Sequence, residues 1–379
     1  MIKQVDCSLY RGGSSKAAFF LESDLPVSDE ERALIFQKIM GGNDPKQIDG
    51  LGGAQIVTSK VAVVGPSSQP FCDVDYTFVQ VYPNRPGVDT SANCGNISSA
   101  VAMFAIEKGL VSPRKGKTTV RIYNTNTGKV ISETLETPEA AVVYEGDFRI
   151  PGVPGTGSRI ELSFEDPSGA ITGKLLPTGH AVDYIALPSG KPVPVSVVDC
   201  SSLFVFVPME ELGLNGHETI GELERNQQLL DDLEYLRGLA AVLLGMTDTP
   251  EHATERLTAL PKIALVGGPA DYQTSDETQI GREEMDLRIC MMTLGKPHKS
   301  FAVTGAMCTA GAASVPGSVV NNLCSAGPGK TVIRLANPAG VMETGIVLDK
   351  NSSILSAIAY RTARLLMSGR AFYSDGAGT

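Results

Sequence analysis

Four blocks of this 379-residue chain recur in its second half in the same order, and this duplication limits the possible folds more than any other feature. Residues 14–25 match 201–212, residues 59–65 match 261–267, and residues 75–101 match 286–312 without a gap. Thr119, Val120 and Gly128 match Thr331, Val332 and Gly340. The offset between copies only grows along the chain, as two copies separated by loop insertions require. The expected organisation is therefore an N-terminal half, 1–178, and a pseudo-repeat, 179–355, each large enough to bury its own core.

Within the first half, residues 2–21 read as strand interrupted by the turn Arg11-Gly-Gly-Ser-Ser-Lys16. Residues 29–40 read as a helix, with Ser28 as its N-cap and Gly41-Gly42 as its stop. A glycine loop, Asp49-Gly-Leu-Gly-Gly53, feeds an apolar strand that carries Lys60, and residues 75–82 form a further strand. Strands near 119–123, 130–135 and 160–164 close the half. Between them, Asp89-Thr-Ser-Ala-Asn-Cys-Gly-Asn96 opens a single small-residue helix to Phe104, with Cys94 at its start. The matching helix of the second half is 304–314. Residues 352–369 show helical periodicity: Ile354, Leu355, Ile358, Leu365 and Leu366 share one face while Arg361, Arg364 and Arg370 stay wet. A C-terminal helix over 356–370 that packs back on the first half is the expectation, with 373–379 frayed.

Several residues stand out chemically. A thiol at a helix start meets unpaired backbone N–H groups and the positive end of the dipole, which lower its pKa, so Cys94 is a candidate reactive group; a small buried thiol that helps a core helix pack is the bland alternative. Gly95 and Asn96 would leave the same N–H groups open to a carboxylate or phosphate, with Asn93 beside them as a further substrate-binding candidate. Lys60, in an otherwise apolar strand, would be desolvated toward the range of a general base, although a lysine tip that snorkels to water explains the same pattern. Lys262 is its counterpart, while the partner of Cys94 is Gly305, so symmetric two-thiol proton exchange is ruled out. Thr304, Gly305 and Ala306 open the second helix, and the two helix starts could face each other across a cleft between halves. His298 either bonds a carboxylate or caps its own turn. Ser14 and Ser15 either donate to substrate oxygens or merely shape a turn, and Gly53, beside Ser59 and Lys60, suits close backbone approach to a ligand.

Composition closes off other classes. A formal charge of −10 argues against a nucleic-acid or anionic-membrane surface. No signal peptide and no apolar run of membrane-spanning length is read, which gives a cytoplasmic expectation. Seven cysteines without a CxxC and four histidines without ligand spacing give no disulfide frame and no metal site. The glycine loop lacks a βαβ frame, and nothing forms a P-loop, a nucleophile elbow or a pyridoxal phosphate cup. The sequence allows a homodimer without choosing an oligomeric state.

At Arg11-Gly-Gly-Ser-Ser-Lys16, Asp49-Gly-Leu-Gly-Gly53, Thr58-Ser-Lys60, Asn93-Cys-Gly-Asn96, Pro177-Thr-Gly179, Val303-Thr-Gly-Ala306 and Arg361-Thr-Ala-Arg364, the chain resembles the PrpF family. That family includes 2-methylaconitate cis-trans isomerases, methylitaconate Δ-isomerases and 4-oxalomesaconate tautomerases. The resemblance implies an α+β, diaminopimelate epimerase-like fold of two pseudo-symmetric β-barrel-like halves, each around a central helix, with the site between them. It also implies cofactor-free allylic isomerisation of a small unsaturated polycarboxylate, with Lys60 matching the family lysine and Cys94 its thiol. His180, where members often carry Asn, and Ser14, where Thr is frequent, depart from the pattern. Two other readings stand beside it: a two-base epimerase or racemase, against which Gly305 argues, and a non-catalytic accessory protein of an aconitase-like iron–sulfur enzyme, whose site would tolerate loss of Lys60.

Overall fold

A computed structural model describes residues 2–91, 93–257, 260–293, 295–327 and 331–374. The chain forms two compact units, Met1–Glu165 with Tyr360–Thr379, and Asp166–Ala359. The first unit starts with the hairpin β1 (Ile2–Gly12) and β2 (Ser15–Leu21). Helix α1 (Asp29–Met40) follows as read, with Ser28 accepting from Glu31 N–H and Gly41 closing it in the left-handed conformation at φ 70°. Strand β3 (Lys60–Pro66) lies parallel to β2 and antiparallel to β4 (Val74–Val81). Helical turns α2 (Gly95–Ser98) and α3 (Val101–Glu107) precede β5 (Gly116–Asn124), β6 (Lys129–Thr137) and β7 (Ile160–Glu165), which continue the sheet as a meander.

Both faces of the central strands are covered, so they read as apolar runs rather than alternating ones. Ala17, Phe19, Ala62, Val64, Tyr76 and Phe78 pack on α2 and α3, which sit in the middle of that core. The alternate residues Ala18, Phe20, Val61 and Val63 pack on Phe36, Ile39 and Met40 of α1. This period of two decides which side chains share a face.

In the second unit, β8 (Pro192–Asp199), β9 (Leu203–Pro208), β10 (Lys262–Gly267) and β11 (Leu287–Thr293) repeat the order of the first: an antiparallel hairpin, a parallel neighbour, then an antiparallel strand. Helix α4 (Gln227–Leu243) covers one face, burying Leu229, Leu233 and Leu236 with Val205 and Leu265. Helix α5 (Val303–Ala313) is almost wholly buried and packs on β8, β9 and the later strands β12 (Val332–Asn337) and β13 (Gly340–Leu348). The duplication is thus present in strand order, although sheet register shifts one block by two residues. Gly65 pairs with Asp75, whereas Gly267 pairs with Arg288 rather than with Asp286.

The C-terminal segment is strand, not helix. It forms β14 (Ile354–Arg361) and β15 (Ala363–Ser374), and β15 runs antiparallel along β1 from Ile2–Ser374 to Gly12–Ala363. The helical spacing is not followed: residues 359–363 are buried as a continuous run that includes Arg361, while Leu355 and Leu366, expected on a packed face, are exposed. Tyr373 and Ser374 are paired with Lys3 and Ile2, so the strand extends past the expected point of fraying, and 375–379 lie outside the described residues. No helix among the described residues is long and apolar enough to cross a membrane.

Candidate active site

Lys60 opens β3 directly after the turn Ile56–Thr58, and even-numbered positions of that strand face α2 and α3. Its side chain is buried, with Nζ donating to Gln80 Oε1 at 2.7 Å and lying 4.9 Å from the centre of the Phe78 ring. Gln80 cannot turn away, because its amide nitrogen is held by the carbonyls of Ser59, Ile56 and Val81 at 2.9, 3.1 and 3.1 Å. Among the described residues no carboxylate pairs with Lys60.

Cys94 packs against the same core face and is the N-cap of α2. Its N–H donates to Asn93 Oδ1 at 2.7 Å, and no side chain caps the N–H groups of the turn it begins. The expected single helix is broken. Ser98 and Ser99 hydroxyls bond back to the carbonyls of Cys94 and Asn96, a pattern that competes with helix propagation. The N–H of Ala102 donates to Glu133 Oε2 at 2.8 Å rather than to a helical carbonyl. Only one helical turn, Gly95–Ser98, follows the thiol, in place of the long helix expected. Glu133 is fully buried, its other oxygen has no hydrogen-bond partner, and burial pushes its carboxyl up to about 8.

Asn96 ties three segments together. Its Nδ2 donates to Ser14 Oγ at 3.1 Å, and its Oδ1 accepts from Arg361 Nε at 3.2 Å. A Cβ on Gly12 would fall 2.5 Å from Asn96 O, and one on Gly13, at φ 52°, only 2.2 Å from Asn96 Oδ1. The glycine turn is therefore moulded to the thiol-bearing turn. Arg361, expected in solvent, is 5% exposed; its Nη1 donates to Tyr360 O, and no carboxylate among the described residues pairs with it. Burial lowers its pKa to about 10, and neighbouring Cys94 acts in the opposite direction. A guanidinium buried without a counter-ion is costly, which makes Arg361 a candidate partner for an anionic group.

Other expected residues are used internally. Ser59 Oγ lies 2.6 Å from Gln47 Oε1 and 2.8 Å from Gln55 O, and a Cβ on Gly53 would meet Thr58 Oγ1 at 2.6 Å, so that loop packs on itself. Ser15 is buried on the Lys60 side of the sheet, while Ser14 is exposed.

The second unit carries an altered copy. Phe204 is the register partner of Lys262, where Ala17 is the partner of Lys60. The Phe204 ring lies 5.7 Å from Lys262 Nζ and meets Phe301 edge-on at 6.1 Å. Burial lowers the pKa of Lys262, with Cys308 opposing. A Cβ on Gly305 would come within 2.8 Å of Phe204 and 3.0 Å of Phe301, so aromatic bulk fills the space beside that lysine. Gly305 is the third residue of α5, whose N-cap is Ala302; Thr304 and Ala306 flank it, and Cys308 is buried beyond them. His298 caps its own turn, Nδ1 lying 2.7 Å from Ser300 O and 3.1 Å from Ser300 N. All seven cysteines are free, and among the described residues no group of three or more His, Cys, Asp or Glu side chains could hold a metal.

Residues 1–374 match the model of the PrpF protein family. The chain is 38% identical over 367 residues to a 3-methylitaconate isomerase of Eubacterium barkeri, covering 97% of this chain and 96% of the relative. It is 36% identical over 369 residues to a (4E)-oxalomesaconate Delta-isomerase of Novosphingobium sp. (strain KA1), covering 97% and 96%. A crystal structure of a methylitaconate-delta-isomerase superposes with a TM-score of 0.92 at 37% identity, over 98% of this chain and 96% of that one.

Proposed function

The chain belongs to the PrpF family and is an isomerase, and we propose that it catalyses a 1,3-proton shift in an unsaturated di- or tricarboxylate, with Lys60 as the base. The observation that carries this reading is a buried amine without a carboxylate partner on the sheet face that also carries the Cys94 turn and, through Asn96, the buried guanidinium of Arg361.

Lys60, as the free amine, takes a proton from the carbon next to the double bond. The electron pair left behind spreads into a dienolate, whose charge collects on a substrate carboxylate. Arg361 offers that charge a preorganised partner in a water-poor setting, where losing one such donor typically costs about 3–4 kcal/mol of barrier. The proton returns to the far allylic carbon from the Lys60 ammonium, or from Cys94, which is then re-protonated by Lys60. Rotation about the temporarily single bond gives cis-trans change through the same intermediate. The relatives' substrates, methylitaconate and oxalomesaconate, define the class in which this chain's own acid is sought.

Proton NMR in deuterium oxide with a panel of methylitaconate, 2-methylaconitate, aconitate and 4-oxalomesaconate tests the reading. One of them is expected to show alkene-signal migration and deuterium at the allylic carbon, lost in a folded Lys60→Ala variant. Exchange that continues near the wild-type rate in Lys60→Ala removes Lys60 as the base. Against a two-thiol epimerase stand Ala302 at the start of α5 and Gly305 packed under Phe204 and Phe301.

A further inference from the structure

The second unit holds a cavity of about 530 Å³ on residues that the isomerase reading does not use. Arg288, on β11, lines it and is only 8% exposed. Its Nε donates to Gly268 O at 2.8 Å and its Nη1 to Gly216 O, while Nη2 has no hydrogen-bond partner among the described residues. Gly216 makes room for this head group: at φ 81° it has no Cβ, and one built there would fall 2.0 Å from Nη1 and 2.2 Å from Nη2. The guanidinium is thus held by two backbone carbonyls beside a glycine at positive φ, with one N–H edge left over.

The rest of the lining selects what could meet that edge. Leu214, Ile220, Leu223, Leu265 and Ile289 make an apolar wall. Glu218 also lines the cavity; its two oxygens accept from Asn215 N–H and Gly216 N–H, both at 2.8 Å, so it braces the loop from beyond ion-pair distance of Arg288 while its charge still acts on the guanidinium. Glu277 adds a second negative charge at the exposed rim, where Lys299 adds a positive one. The lining therefore offers one buried cationic group, Arg288, with the acidic Glu218 and Glu277 close by and the second cation, Lys299, only at the rim.

We infer that this cavity binds a compact aliphatic monocarboxylate, its carboxylate on Arg288 and its branched or short chain against Leu214, Ile220 and Leu265. The site is separate in residues and in ligand charge from the one that turns over a polycarboxylate.

Isothermal titration of the whole protein with 3-methylbutanoate tests this, with its neutral amide and glutarate as comparison ligands. Saturable binding is expected, weakened at least about tenfold by Arg288→Met, as loss of a hydrogen bond to a charged group implies. The amide and the dicarboxylate are expected to bind at least about tenfold more weakly, and Lys60→Ala to bind as wild type does. Because Arg288 also ties two loops, Ser275→Trp, which plugs the exposed rim, gives a second variant expected to lose binding with folding intact. The inference is overturned by no saturable binding to wild type, by binding unchanged in Ser275→Trp or in folded Arg288→Met, or by equal affinity for acid and amide.

Discussion

Lys60 donates to Gln80 across 2.7 Å, and the two are direct register partners on adjacent strands. Three backbone carbonyls hold the Gln80 amide, so the oxygen that meets Lys60 is positioned before any substrate arrives. Replacing Gln80 by Met keeps an unbranched side chain and removes that acceptor. The amine then loses its fixed direction, and kcat is expected to fall about tenfold with KM little changed, the loss of one hydrogen bond of about 1–1.5 kcal/mol. Steady-state kinetics on the substrate found by NMR checks this; an unchanged kcat would mean that Gln80 only packs.

Arg361 is predicted to anchor a carboxylate. Arg361→Lys retains charge but not the bond to Asn96 or the planar fork, and is expected to raise KM about tenfold or more. Arg361→Met removes a buried charge with no counter-ion, so it is expected to lose turnover while thermal stability holds or rises. A drop in melting temperature with normal KM in Arg361→Lys would assign the residue to structure alone.

Glu133 gives a pH prediction with a definite sign. Its folded pKa of about 8 lies above the ordinary value of 4.5, so between those values the folded state holds a proton that the unfolded state has released. Stability contributed by this group is therefore present below about pH 4.5 and lost progressively as pH rises through about 8. Glu133→Gln keeps an acceptor for Ala102 N–H and removes the ionisation. Urea unfolding is expected to show the variant more stable than wild type at pH 9 and little different at pH 5; parallel pH profiles would refute the assignment.

Gly305→Ala should overpack the second unit, since the added methyl would come within 2.8 Å of Phe204 and 3.0 Å of Phe301. A cost of about 1–3 kcal/mol is expected. Phe204→Ala in the same chain should recover part of it, and the double-mutant cycle measures that coupling. Strict additivity would show that the two do not compete for space.

Where a residue announced itself by chemistry out of place, the sequence revealed it. Lys60 in a run of Val and Ala, and Cys94 after Asn93, stood out in this way, and α1 was legible from Ser28 to Gly41 because caps are local. Arg361 was hidden because residues 352–369 fit two periods at once, and only the pairing of β15 on β1 chooses between them. Glu133 was invisible for a different reason: in a strand of alternating polar residues an inward-facing acid looks like an outward-facing one until register is known. The break between α2 and α3 involves that acid together with the Ser98 and Ser99 hydroxyls, so it could not be read from the helix segment alone.

The pairing of β1 with β15 also has a consequence for biosynthesis. Strand β1 is translated long before its partner and must wait with that hydrogen-bonding edge open until β15 emerges. Arg361 lies just ahead of β15 and is made with it, so its bond to Asn96 closes only long after the Gly12 turn and the Cys94 turn have been synthesised.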